Sequence, residues 1–454
     1  HELVDEGASL HAEVRVLEQT GKYAAGLVSA RDAVAEARRL DHDPWFAEAL
    51  LLEGTLHAHL RSLRAAEDAL FEASVVAEAS RHDEVLARAW TELVRVVGVE
   101  QERYDEGERW GKLADAAVRR LGGGPEAVAL AGHLGRLHDH RGDLSAAQAD
   151  YERAAKLAEE TLPERHPLRA TARIDLGGYL LARGRYAEAA TAYGEALALR
   201  RAVFGNDHPR VAEALSLLAR VAWERKNLDQ AHALASEALR ICEGPGRCSP
   251  AERGQALVDL ARIEFTRGRY LEGQRLTERA LELYESIYGP EHTRVASLQM
   301  NLGVFAKNLG RHDEARARYQ RALQIQRLHH PEDHPDLEPL HINLGTLAMD
   351  QDRWSDAREH FRFALEIHRK SGDDETYGLA NLLDNDGVSA LRLGDHAAAI
   401  ERHTRALAIY TRDHGDTHPD VVRVRTHLAQ ADLAAGRHAT AAQLAEQQLD
   451  ALAR

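Results

Sequence analysis

The sequence predicts an all-α solenoid of about eleven helical hairpins, and three observations lead to this prediction. A turn signature recurs every 42 residues in the regular part of the chain. Stretches with apolar residues spaced three and four apart flank each turn, as at Leu298, Leu302 and Phe305. A small residue also holds a fixed place in each stretch. Helical spacing on both sides of a tight turn predicts two packed helices per repeat, whose apolar faces only stacking can bury.

The residue that follows each turn defines the repeats. In the regular part these residues are Leu144, Tyr186, Leu228, Tyr270, His312, Trp354, His396 and His438. Upstream, the looser equivalents Tyr23, Leu63 and Tyr104 are separated by 40, 41 and then, before Leu144, 40 residues. We therefore expect about three irregular repeats in residues 1–122 and eight regular repeats in residues 123–454, with a soft boundary near residue 122.

Small residues mark where the two helices of a repeat approach each other. The first helix carries Gly or Ala at Gly135, Gly177, Ala219, Ala261, Gly303, Gly345, Gly387 and Ala429. The second helix does so at Ala147, Ala189, Ala231, Gly273, Ala315, Ala357, Ala399 and Ala441. One position breaks the pattern: Asp386 stands where seven other repeats carry Leu. It predicts a loosened repeat or a local slip of register.

The two ends of the array differ in polarity. A ladder of alanines on the second helices ends at Gln448, with Gln443 and Gln447 beside it, and a polar outer face is typical of a terminal repeat. We expect the last repeat to act as the C-terminal cap, with Arg454 close to the natural end. The chain starts at His1 rather than Met, and the apolar residues of its first repeat could stack on another copy, namely Val14, Leu17 and Val28.

Composition argues against several classes of partner. The 73 acidic and 58 basic residues give a net charge of -15, which disfavours nucleic acid. The sequence has no run of about 18 apolar residues that would insert into a membrane. The two cysteines, Cys242 and Cys248, flank a hairpin-like loop; we expect unpaired thiols, with a redox-sensitive loop as the alternative. So few cysteines favour a reducing compartment, and the predicted location is cytoplasmic.

Motifs for catalysis are missing from the sequence. It contains no Walker-type phosphate loop, zinc-protease helix, nucleophile elbow or dinucleotide fingerprint. The glycine run 122–124 before Pro125 is expected to be an inter-repeat loop. Histidines cluster in the inter-repeat loops, but because His-Pro recurs from loop to loop we interpret them as helix caps and expect no metal site there, at His329, His330, Asp333, His334, His414 and His418. We predict a non-enzymatic chain with no catalytic residues and no cofactor.

Together, the 42-residue interval, the turn and the small-residue positions resemble tetratricopeptide repeats of the kinesin light chain type. The resemblance is good over residues 124–454 and looser over residues 1–123. It implies a right-handed superhelix whose first helices line a concave groove. It also implies a scaffold for protein–protein interaction that binds a protein or peptide ligand.

In such arrays the residue before the interior Leu of the first helix points into the groove. Here that position reads His133, Asp175, Leu217, Asp259, Asn301, Asn343, Asn385 and His427. Only seven asparagines occur in the chain, and three of them fall on this position in consecutive repeats. An amide both donates and accepts hydrogen bonds, so a row of them can hold an extended peptide backbone. The resemblance implies this role for Asn301, Asn343 and Asn385.

Arginines add a charge preference to the predicted groove. Arg136, Arg220 and Arg262 lie three residues beyond the groove position, and Asn308 lies further along the helix of Asn301. Guanidinium groups suit carboxylates, so the predicted ligand is an extended, partly acidic peptide along repeats 6 to 10. The alternative is that these arginines pair with carboxylates of neighbouring repeats, such as those of Asp175, Asp259 or Glu224.

A second hypothesis concerns a larger parent protein. Of 58 basic residues, six are lysines, which leaves 52 arginines. Irregular repeats between Trp45 and Trp110, followed by regular repeats with Asp-His-Pro loops, resemble the C-terminal regions of myxobacterial serine/threonine protein kinases. This resemblance implies a sensor or substrate-recruiting region whose catalytic domain lies outside the chain.

Overall fold

The structure, a computed structural model, describes residues 12–14, 16–17, 23–245, 247–372 and 376–452. Helices joined by short turns make up these ranges, and no strand occurs within them. The chain forms two compact units, one that ends at Ile241 and one that begins at Cys242. Among the described helices, none combines the length and the apolar character that crossing a bilayer requires.

The first unit contains five complete hairpins and the second helix of another one. Its helices are α1 (Tyr23–Arg39), α2 (Asp43–His59), α3 (Leu63–Ala79), α4 (Asp83–Leu93, continued by a π-helix Val94–Glu100), α5 (Tyr104–Arg120), α6 (Pro125–Arg141), α7 (Leu144–Thr161), α8 (Pro167–Ala182), α9 (Tyr186–Phe204), α10 (Pro209–Glu224) and α11 (Leu228–Glu243). The helix before α1 is described only at residues 12–14 and 16–17.

The second unit contains five hairpins. Its helices are α12 (Pro250–Thr266), α13 (Tyr270–Tyr288), α14 (Thr293–Asn308), α15 (His312–His329), α16 (Glu338–Met349, preceded by a 3-10 turn Pro335–Leu337), α17 (Trp354–Ser371), α18 (Tyr377–Arg392), α19 (His396–His414), α20 (Pro419–Ala434) and α21 (His438–Leu452). All eleven predicted turn residues, from Tyr23 to His438, are the first residues of α-helices. The predicted hairpin repeat is therefore confirmed.

A left-handed residue makes each tight turn inside a hairpin. Two positions before the second helix, the backbone has a positive φ in ten hairpins: at six glycines, such as Gly142 (87°), and at Arg61, Glu102, Lys226 and Asp352. Glycine adopts this conformation without a steric penalty, whereas another L-residue there costs roughly 1–2 kcal/mol. Glycine is therefore the commonest residue at this position, and the four other residues there carry backbone strain. The run 122–124 also has positive φ throughout and forms the loop between α5 and α6.

Histidine caps begin most of the first helices in the regular repeats. The Nδ1 atom of each capping histidine accepts a hydrogen bond from the backbone N–H two residues later, at His166, His208, His292, His334 and His418, over 3.1 to 3.3 Å. An aromatic ring four residues earlier contacts four of these imidazoles, with centroids 3.8 to 4.7 Å apart; three pairs are stacked, and Tyr288 is tilted by 30° against His292. The interpretation of the His-Pro loops as helix caps is confirmed.

Close contact between glycine and an aromatic ring joins the two helices of five hairpins. A Cβ atom added at Gly303 would lie 2.5 Å from the Tyr319 ring, and one at Gly345 would lie equally near Phe361. The same relation, sixteen residues apart, links Gly135 with Tyr151, Gly177 with Tyr193 and Gly387 with His403. Real Cβ atoms do not come that close, so an alanine here would force the ring or the helix to move.

The remaining regular hairpins have alanine in place of the glycine and a small residue in place of the ring. Where the first helix has alanine, at Ala219, Ala261 and Ala429, the second helix has a small residue sixteen positions later, at Ala235, Thr277 and Ala445. Ala219 and Ala235 are each 1 % exposed, so the smaller pair still fills its space. The side-chain volume at this contact is therefore smaller in these three hairpins than in the five that pair a glycine with a ring.

Asp386 does not shift the register of its hairpin. Helix α18 is continuous, and Gly387 still meets the ring position, here occupied by His403. Asp386 is 1 % exposed, and its Oδ2 accepts a hydrogen bond from Arg402 Nε at 3.0 Å. Burial raises the pKa of Asp386, although Arg402 opposes the shift. The expected slip of register is thus wrong, because an arginine of the second helix reaches the buried carboxyl group.

Two further expectations are corrected. Cys242 and Cys248 form a disulfide with a Cα–Cα distance of 4.8 Å, so they are not unpaired thiols. The loop brings the two cysteines into bonding range, and the pair removes one argument for the predicted cytoplasmic location, which stays a prediction. Val14 is fully buried against Leu52 and Leu56 rather than exposed, whereas Val28 is 62 % exposed.

The last helix has a polar outer surface. Gln443 and Gln447 are exposed on α21, and Leu449 is exposed beside them, so the C-terminal cap stays a prediction. His1 and Arg454, on which the expectations about the chain ends rested, lie outside the described residues.

Replacing Gly303 by alanine tests the glycine–ring contact. Alanine gains about 1 kcal/mol of helix propensity, but overpacking costs about 1–3 kcal/mol, so we expect Gly303→Ala to lower the free energy of unfolding. Urea unfolding followed by circular dichroism measures it. Gly194→Ala, at a helical glycine with nothing within 4 Å, should be neutral or stabilising. Equal gains in both variants, or no relief of the Gly303→Ala penalty by Tyr319→Ala, would contradict the account.

Replacing Asp386 by leucine restores the residue of the other repeats. The change removes a buried carboxylate, whereas Arg402, whose side chain is 30 % exposed, keeps Glu401 as a partner, so we expect a higher unfolding midpoint. Leu344→Asp is the matched reverse change. His360 stands there in place of Arg402, so the buried acid lacks an arginine, and we expect a loss of about 3–5 kcal/mol. A clear loss of stability in Asp386→Leu would show that the hairpin depends on its acid.

Candidate functional site

Three asparagines occupy the same place on consecutive first helices of the second unit. Asn301 lies on α14, Asn343 on α16 and Asn385 on α18, and each side chain is half-buried. Helix α14 contacts α16, and α16 contacts α18, so the three positions follow one another across neighbouring helices. Each asparagine precedes a core residue: Leu302, Leu344 or Asp386. Its side chain is therefore at the border between the packed interior and the helix surface.

Two of these amides are unused within the described part of the chain. The side chains of Asn301 and Asn343 make no hydrogen bond to any described residue, whereas Asn385 Nδ2 donates to Asn381 Oδ1 over 3.2 Å. A half-buried amide without a protein partner can offer a donor and an acceptor to a ligand. Asn301 and Asn343 are therefore the two groups best able to bind a peptide backbone.

Equivalent positions in several other hairpins are charged and engaged, although one of them is Leu217. His133 Nε2 lies 3.7 Å from Glu92 Oε1, and Asp175 Oδ2 accepts from Arg136 Nη2 over 3.0 Å. Asp259 accepts from Gln255 and pairs with Arg262. The neutral amides of the second unit are thus distinct from the ion pairs found at this position elsewhere.

The predicted arginines differ in their availability. Arg136 is paired with Asp175 of the next repeat, as the alternative interpretation anticipated, whereas Arg262 Nη2 is 3.3 Å from Asp259 Oδ1 on its own helix. Arg220 is exposed on α10, and no ion pair to it is found among the residues that the structure covers. Arg136 and Arg220 belong to the first unit and Arg262 to the second.

Asn308 is occupied by its own helix. Its Nδ2 donates to the Val304 carbonyl oxygen over 2.8 Å at the exposed end of α14. A ligand would have to replace this bond. Asn308 is therefore a weaker candidate than Asn301, whose side chain makes no hydrogen bond to α14.

A buried polar cluster in the last two hairpins was missed by the sequence analysis. Asp384 of α18 accepts hydrogen bonds at Oδ1 from His403 Nδ1 (2.9 Å) and His427 Nδ1 (2.8 Å). Burial opposes the ionised form, but the two imidazoles outweigh it and lower the pKa of Asp384 to about 2. The available signal was a pair of simultaneous exceptions, an acid where Ile342 and Met300 stand in earlier repeats and a histidine at the ring position.

Comparison with known proteins agrees with the repeat geometry. The tetratricopeptide repeat family matches residues 168–244, 252–328, 336–410 and 378–454, and a second description of the same repeat matches residues 128–168. A curated relative, human tetratricopeptide repeat protein 19, mitochondrial, is 38 % identical over 96 residues. That stretch is 21 % of this chain and 24 % of the relative, so the chain matches about a quarter of the relative's length.

Solved structures show the same kind of array. The apo form of RapI is 16 % identical with a TM-score of 0.57, over 81 % of this chain and 97 % of that one. At this identity the likeness shows the fold alone. The nearly identical repeats of a putative kinesin light chain from Podosopora anserina are 21 % identical with a TM-score of 0.40, over 43 % and 92 %. With the family matching well over half of its residues, the chain belongs to the tetratricopeptide repeat family.

Proposed function

We propose that this chain is a protein-interaction scaffold that holds an extended peptide segment on α14, α16 and α18 through Asn301, Asn343 and Asn385. Tetratricopeptide repeat proteins are protein-interaction scaffolds, and the choice of surface is the proposal made here. The observation that carries it is the pair of half-buried amides at Asn301 and Asn343, without partners among the described residues.

The spacing of the helices suits an extended chain. Packed helices are roughly 8–10 Å apart, and an extended peptide advances roughly 3.3 Å per residue. Successive asparagines would therefore meet about every third residue of the ligand. An amide that donates to a peptide carbonyl and accepts from a peptide N–H recognises the backbone, so side-chain specificity would come from the residues around the asparagines.

An acidic ligand is the finer part of the proposal. On the first unit, Arg220 supports it, because its guanidinium is exposed and no ion pair to it is found among the described residues. Arg136 and Arg262 already face the carboxylates of Asp175 and Asp259, so a ligand carboxylate would have to compete with them. Arg220 would offer a carboxylate site on the first unit, and the asparagines would offer a backbone site on the second unit.

Removing the three asparagine amides should weaken peptide binding. A hydrogen bond contributes about 1 kcal/mol net, so the triple change Asn301→Ala, Asn343→Ala and Asn385→Ala should reduce affinity about 100-fold for a peptide selected on the wild-type chain. The probe is a displayed library of random linear peptides, with affinities measured by fluorescence anisotropy. Asn206→Ala, at an exposed loop asparagine, is the control and should bind like wild type. Selected peptides should be rich in Asp and Glu.

Two results would contradict the proposal. One is an unchanged affinity in the triple variant when circular dichroism shows it to be folded. The other is a selection on the wild-type chain that enriches no peptide.

We propose as an alternative that the array serves a larger protein, as the sensor or substrate-recruiting region of a serine/threonine protein kinase. Support comes from the order of irregular and regular repeats, the His-capped loops and the excess of arginine over lysine. In this case the same asparagines would bind the sensed or recruited segment. The kinase residues would lie outside the chain described here.

The size of the native polypeptide separates the two roles. The chain has a mass of 50.3 kDa. A kinase parent predicts, on an immunoblot of source cells, a band far above that mass and phosphotransfer activity in the immunoprecipitate. A single band near 50.3 kDa without such activity would contradict the kinase role and favour a freestanding scaffold.

A further inference from the structure

Three ligand-type side chains meet in the last two hairpins of the second unit: Asp384 of α18, His403 of α19 and His427 of α20. Asp384 and His403 are 0 % exposed, while the His427 side chain is 26 % exposed. One ligand atom from each residue lies within 4.8 Å of the other two. The cluster is therefore deep in the repeat packing but reachable from solvent at His427.

The fold itself does not require these polar groups. In the preceding hairpin the place of Asp384 is taken by Ile342 and that of His403 by Phe361, which is fully buried. At the place of His427 the three preceding repeats carry asparagine. Burying polar and charged groups carries a free-energy penalty, and the same architecture is built without it one repeat earlier. The three exceptions occur together and converge on one point.

Hydrogen bonding within the cluster is incomplete. Both imidazoles direct Nδ1 to the single oxygen Asp384 Oδ1. His403 Nε2 is buried and has no hydrogen-bond partner in the described part of the chain. The other oxygen, Oδ2, lies 3.0 Å from Arg423 Nη1. Arg423 thus contacts one carboxylate oxygen of Asp384, and the two imidazole nitrogens contact the other.

We propose that Asp384, His403 and His427 form a binding site for a divalent transition-metal ion, with Zn²⁺ as the best fit. The ligand atoms are Asp384 Oδ1 and the Nδ1 atoms of both histidines. Two nitrogens and one carboxylate oxygen suit zinc, which binds histidine at about 2.0–2.1 Å and often leaves a fourth position to water. Calcium and magnesium prefer all-oxygen sites. In the bound state each imidazole carries its hydrogen on Nε2.

The geometry needs a small adjustment to hold the ion. Ligand atoms about 2.1 Å from a tetrahedral ion lie roughly 3.4 Å apart, slightly more than the 2.8 and 2.9 Å between Asp384 Oδ1 and the two nitrogens. The partly exposed His427 side chain can supply this opening. Arg423, by holding Oδ2, would keep the carboxylate oriented, which is the usual role of a residue behind a metal ligand.

Zinc binding by the full chain tests the proposal. Chelator-treated protein is titrated with Zn²⁺ by calorimetry, and with Co²⁺ by visible absorption, whose intense bands report tetrahedral coordination. We expect one tight site and a rise in the unfolding temperature with Zn²⁺. The double change Asp384→Ile and His403→Phe, which copies Ile342 and Phe361, should fold and lose the site. His427→Asn, which copies the asparagine of the preceding repeats, should weaken it at least about 10-fold.

Surface histidines are the matched control. His330, His334 and Asp336 also bring ligand atoms within 4.8 Å, but they are more exposed, and His334 Nδ1 caps a helix turn. His330→Ala should leave the tight site intact. Identical titrations of the wild type and the folded Asp384→Ile/His403→Phe variant would overturn the proposal, and so would loss of the tight site in His330→Ala.

Discussion

The contact between a glycine of the first helix and a ring of the second helix sets the geometry of five regular hairpins, including the three that carry Asn301, Asn343 and Asn385. At Gly303 and Tyr319 there is no room for even one additional carbon atom. Such a contact fixes the rotation of one helix against the other, because a turned helix would present a bulkier residue to the ring. Fixed rotation in turn decides which neighbouring residue is exposed. Asn301, two positions before Gly303, is at the border of the core for this reason.

The candidate binding surface therefore depends on packing that it does not itself provide. The core residues Leu302 and Leu344 hold their helices in place, and the preceding asparagines are left half-buried. Ion pairs use the same position in the first unit, as at Asp175. Where asparagine stands at this position, as at Asn301 and Asn343, the side-chain amide is left to hydrogen-bond a ligand. The same frame accepts an apolar pair at Ile342 and Phe361 or the polar cluster around Asp384.

Local sequence signals predicted most of the fold. The turn residues, the small residues and the His-Pro caps act within one hairpin or one loop, so their spacing along the chain is enough to place them. Contacts between distant helices were harder. The buried position of Val14, the arginine that pairs with Asp386 and the meeting of Asp384 with His427 depend on which helices become neighbours. Predicting the disulfide between Cys242 and Cys248 requires the path of the loop between them, and composition does not give that path.

Hydrogen–deuterium exchange on the full chain, with and without a peptide selected on it, tests most directly whether the first helices of the second unit bind the ligand. Bound peptide should slow exchange in α14, α16 and α18 and leave the outer positions of α15 and α17 unchanged, since the asparagines lie on the first helices. Protection confined to the second helices, or to the first unit alone, would contradict the account.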